Sequence, residues 1–89
     1  MSALLNQVSV TTQSFDLIYV DILNQTLQYE SFEYIIYTED KKMIRRGQFR
    51  APSVQIRTCG LQEGTYEFQL LLHGEEWKNT LFQKQSQED

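Results

Sequence analysis

The scarcest of the residues that could do chemistry in this chain are one histidine and one cysteine, set among twelve carboxylates. A nucleophile needs a base beside it, acid–base work needs converging carboxyls, and a metal needs several ligands at one point. His73 sits between Leu72 and Gly74, the place of a strand-end residue rather than of a ligand or base. Cys59 precedes Gly60 at the end of a short alternating run, which suits a small half-buried side chain. Arg57, two residues away on the same strand face, is the neighbour that could activate the thiol. Glu75-Glu76 and Glu88-Asp89 are adjacent acids in a turn and a tail, without the spacing of a calcium loop. Gly60 and Gly64 lack the lysine and following helix of a phosphate loop. An enzyme would have to draw Asp16, Asp21, His73 or Cys59 into one cleft. The expectation is a protein that is not an enzyme, with no catalytic residue, no cofactor and no metal.

Binding is better supplied than catalysis. Tyr19, Tyr29, Tyr34, Tyr37 and Trp77 could line a sugar- or peptide-binding face, although most rings in a small domain fill its core. Tyr37 falls on the face opposite Phe32, Tyr34 and Ile36, and with Tyr29 it could make a small exposed aromatic patch. Lys41, Lys42, Arg45, Arg46 and Arg50 crowd into one hairpin-sized segment. That segment is either a solvated strand edge, where positive charge discourages sheet-to-sheet association, or a contact for an anion or nucleic acid. The net charge of −4 argues against nucleic acid, whose phosphates need a basic face, and no such partner is expected.

The elements that must position these residues are strands. The chain has 89 residues, 40% of them apolar and 12% aromatic, enough for one small core and one domain. Its dominant hydrophobic period is two. Phe15 to Ile22 is apolar on both faces over its middle, as a central strand would be. Phe32 to Tyr37 follows, then a polar connection, then Met43 to Arg50 with Met43 and Phe49 facing inward. Val54, Ile56 and Thr58 share a face on a short strand after Pro52. Tyr66, Phe68, Leu70 and Leu72 form the cleanest alternation. Over 75–85, Trp77 and Leu81 have helical spacing, but Thr80, Phe82 and the turn at "LHGE" favour a strand. Seven short strands in this length predict an all-β, antiparallel, immunoglobulin-like sandwich over 1–85, with a polar tail at 86–89.

One turn stands out. "GLQEGTYEFQL" brackets a polar bend with Gly60 and Gly64, so that Leu61 can tuck under the sandwich. Tyr66 opens the next strand with its ring inward and its hydroxyl in need of a partner, a structural corner rather than a reactive loop.

From this corner outward, about sixty residues resemble the C-terminal sorting domains of bacterial type IX secretion cargo. Tyr34-Ile35-Ile36-Tyr37 matches the family's first strand and Val54-Gln55-Ile56 its short strand. Gly60 to Tyr66 matches its corner, and Lys84 falls near its terminal lysine. Small secreted bacterial immunoglobulin-like families of unknown function are similar in the same way. The resemblance implies a sandwich fold, recognition by a secretion machinery and an extracytoplasmic location.

From the residues themselves the expectation is an interaction or accessory module. It would meet protein partners by a strand edge or a loop end, with Tyr29, Tyr37, Lys41, Lys42, Arg45 and Arg46 as contact candidates. A free edge would leave it a monomer or a weak homodimer. No apolar run is long enough to span a membrane as a helix. The opening "MSALLNQVSV" has no charged leader, so the location is cytoplasmic if Met1 is the native start and extracytoplasmic if the chain is trimmed from a precursor.

Overall fold

Strands form where alternation lets every second side chain leave water while its neighbours stay hydrated. The computed structural model describes residues 8–11 and 16–84. Its strands are β1 (Val8–Thr11), β2 (Leu17–Ile22), β3 (Ser31–Thr38), β4 (Met43–Arg50), β5 (Ser53–Arg57), β6 (Gly64–Leu72) and β7 (Glu75–Lys84). They form two antiparallel sheets, ordered β1-β2-β5 and β4-β3-β6-β7. The fold is the small all-β sandwich that the period-two pattern requires. Phe15 and the tail at 86–89 lie outside the described residues.

The chain changes sheet three times, between β2 and β3, between β4 and β5, and between β5 and β6. In constant-type immunoglobulin domains the fourth strand joins the sheet of the first, second and fifth strands. Here β4 stays with β3, paired from Ser31↔Arg50 to Tyr37↔Met43. The segment with ambiguous spacing, 75–85, is strand β7 over Glu75–Lys84, paired along the whole of β6.

The core lies between the sheets. Ile18, Val20 and Ile22 of β2 face Phe32 and Ile36 of β3 and Phe68, Leu70 and Leu72 of β6. Burying each such side chain stabilises the fold by about 1.5–3 kcal/mol. Phe32 stacks on Phe49 with centroids 5.6 Å apart and meets the edge of Trp77 at 6.0 Å. Among the described residues no buried side-chain nitrogen or oxygen lacks a partner.

Two placements differ from the alternation. Met43 is 51% exposed rather than inward, whereas Phe49 does pack against the core. A bulge between Ile36 and Tyr37 is the cause: Ile36 pairs with Arg45 and Tyr37 with Met43, so Ile44 is the extra residue and the phase inverts. Cys59 is exposed rather than half-buried. Strand β5 ends at Arg57, buried Thr58 takes the last inward position with its N–H on the Asp16 carbonyl at 2.8 Å, and Cys59 begins the turn.

Candidate functional site

The turn before β6 is held by Tyr66 and Leu61. The Tyr66 ring is buried and stacks on Phe82 at 5.6 Å. Its hydroxyl donates to the Gln62 carbonyl at 2.6 Å, tying the start of β6 to the turn four residues upstream. Leu61 is half-buried against the core, and its N–H donates to the Thr58 carbonyl at 3.0 Å. Gly64 holds φ 156°, which side chains rarely adopt. Gly60 has no positive φ, and a Cβ there would meet Arg45 Nη2 at an ordinary 3.7 Å, so this glycine is not demanded by backbone geometry.

Around the corner the basic residues separate. Arg45 and Arg46 alternate along β4 and therefore point to opposite faces. Arg45 donates to the Arg57 carbonyl across the sheets. Arg46 reaches Glu33 on the outer face at 3.1 Å. Lys41, in the β3–β4 turn with φ 69°, pairs with Glu67 at 3.0 Å. Lys42 is exposed, and its backbone N–H donates to Thr38 Oγ1 at 3.2 Å. Hydrogen bonds from Asn79 and then Lys41 hold the Glu67 carboxyl below its ordinary value of 4.5, and bonds from Arg46 and then Gln48 do the same to Glu33. Three of the five clustered cations are thus engaged with groups of the same chain.

Tyr37 lies on this outer face, where its hydroxyl donates to Gln69 Oε1 at 3.1 Å. Gln69 in turn donates to Glu76 at 2.8 Å. Tyr29 is at the far end of β3, 76% exposed with φ 74°. The strand between them spans roughly 25 Å, so the two tyrosines do not form one patch.

Tyr29 instead belongs to a loop pole. The β2–β3 loop, the Ala51-Pro52 turn and the His73-Gly74 turn converge there. Ala51 N–H donates to the Glu30 carbonyl at 2.9 Å, Ile22 N–H to the Pro52 carbonyl at 2.7 Å, and His73 Nε2 lies 3.4 Å from Glu30 Oε1. Asn24 caps a 3-10 turn over Gln25–Leu27, accepting from Thr26 N–H at 2.8 Å. Leu23, at 57% exposure, shares this loop with Tyr29 and was not legible as a contact residue, because sequence spacing gives no sign of which loop leucines are covered.

Asp16, Asp21, His73 and Cys59 do not converge. Asp16 lies at the corner end, bound to Lys84 Nζ at 2.6 Å, while His73 is at the opposite pole. Among the described residues no group of three or more histidine, cysteine or acidic side chains could hold a metal. No described helix is long and apolar enough to cross a membrane. No family model matches the chain, and no curated protein matches it.

Proposed function

We propose that this domain is a non-enzymatic interaction module of a secreted or surface protein, contacting a protein partner through its loop pole. The supporting observation is where large apolar side chains remain in water. Leu23 and Tyr29, two of the exposed large apolar residues, stand together on the β2–β3 loop. Loops carried on a rigid sandwich are the usual place for recognition, since they can vary without disturbing the core. Tyr29 adds a rigid aromatic surface with a polar tip, a side chain enriched at contact sites.

The full chain used as bait on an extracytoplasmic extract of its own organism should retain a protein that the L23S/Y29A variant loses. Hydrogen exchange should then show protection over residues 23–30. Retention of the same proteins by both chains, or of none, would refute this contact surface.

Recognition by type IX machinery is the second reading. The Gly60–Tyr66 element supports it, together with the closing strand that carries Lys84. Fusing the chain to a periplasmic reporter in a bacterium with that machinery should place the reporter outside the cell. Reporter left in the periplasm would rule out a sorting role.

A further inference from the structure

The four outer strands of the two sheets leave backbone groups unpaired by any described strand, and they differ in what surrounds those groups. β5 is only five residues long, and β1 is described over four. β4 carries Arg45, Arg46 and Arg50, charges that discourage a second strand. β7 is ten residues long and protected differently. Its register with β6 shifts where Leu70 pairs with Lys78 and Leu71 with Glu76, so Trp77 is the extra residue and ends regular pairing on that side. From Lys78 to Lys84 the pairing is regular. The interior of this run, Asn79-Thr80-Leu81-Phe82-Gln83, has no charge and no proline. Its midpoint, Leu81, is 68% exposed.

We propose that β7 is a homotypic edge. Two copies of the chain pair their β7 strands antiparallel about a two-fold axis at Leu81, joining two four-stranded sheets into one continuous sheet. The register follows from the run itself. Aligning all of 78–84 with its own copy places Leu81 against Leu81, Asn79 against Gln83 and Thr80 against Phe82. Leu81 is then covered by its equivalent, with Cβ atoms about 5 Å apart, and two side-chain amides meet. Lys78 falls opposite Lys84, whose ammonium is held on Asp16 at 2.6 Å. Shifts of two residues use less of the run and put Leu81 opposite Asn79 or Gln83, and a one-residue shift would set an outward side chain opposite an inward one, as Leu81 against buried Phe82. The inference does not rest on the loop-pole reading, which uses Leu23 and Tyr29.

A strand pair of this length buries less than the roughly 1,200–2,000 Å² of a stable complex, so the dimer should form only at about 0.1–1 mM. Sedimentation velocity on the full chain, loaded up to about 2 mM, should show the weight-average mass rising toward that of a dimer. Leu81→Lys brings two like charges together at the axis and should weaken association about tenfold or more. Register is read separately in chains carrying Cys59→Ser. There Leu81→Cys should give a disulfide-linked dimer on mild oxidation, whereas Asn79→Cys on the same strand and Gln48→Cys on β4 should not. A chain monomeric throughout, undiminished association of L81K, or cross-linking of N79C or Q48C as readily as L81C would overturn the proposal.

Discussion

Tyr66 does two jobs with one side chain. Its ring fills the interior beside Phe82, and its hydroxyl fixes the Gln62 carbonyl at 2.6 Å. These contributions are separable. Tyr66→Phe removes the hydrogen bond and should cost about 1 kcal/mol. Tyr66→Ala removes the ring as well and should cost about 3–5 kcal/mol in urea denaturation. A loss below about 1 kcal/mol for the alanine variant would mean that the ring does not pin the corner. Gly47 is the complementary case. A Cβ there would lie 2.5 Å from Tyr34 Oη, so the missing side chain is what lets the Tyr34 ring lie across β4 and stack near Phe68.

At the scale of elements, the outer face of the four-stranded sheet is held by cross-strand polar pairs rather than by burial. Lys41 and Asn79 reach Glu67 from the β3–β4 turn and from β7, and Arg46 reaches Glu33 from β4. Both carboxyls ionise more readily in the folded chain than the ordinary value of 4.5. As pH falls, the unfolded chain therefore takes up these protons first, and stability present above about pH 4.5 is lost below it. Thermal midpoints should hold steady from neutral pH to about 5 and then fall, and Glu67→Gln should flatten part of that fall. An identical acid profile in the glutamine variant would show that the Glu67 contacts contribute nothing measurable. Both side chains are only partly exposed, but their cationic partners Lys41 and Arg46 stand in solvent, so added salt should shrink the effect.

On the scale of the whole molecule, Lys84 at the end of β7 reaches Asp16 at the start of β2, 68 residues away in the chain and on the other sheet. The partners are unequal: the Lys84 side chain is 9% exposed and that of Asp16 48%. Removing the carboxylate leaves an ammonium in a dry place without that charge, whereas removing the amine leaves a carboxylate that water can reach. Asp16→Asn should therefore cost about 1–3 kcal/mol and Lys84→Met distinctly less, measured in the same denaturant. The reverse order would show that the pair is held by its packing rather than its charge.

Alternation was enough to place β2 to β7, an antiparallel sandwich, the buried face of β6 and the aromatic start of that strand at Tyr66, whereas β1 was not among the runs it marked. Each depends on side chains a few residues apart, and a period of two leaves a strand little choice of which face to bury. Tertiary structure alone decided the rest. The bulges at Ile36/Tyr37 and Leu70/Leu71 change strand phase without any glycine or proline to announce them, which turned Met43 outward and made Trp77 the extra residue of β7. The basic cluster is continuous along the chain, yet its charges go to Glu67, Glu33 and the Arg57 carbonyl, because neighbouring strand residues face opposite ways and their acceptors come from other strands. Which strands lie at the sheet edges, and therefore which surface is open to a partner, follows from long-range pairing that no local pattern of residues encodes.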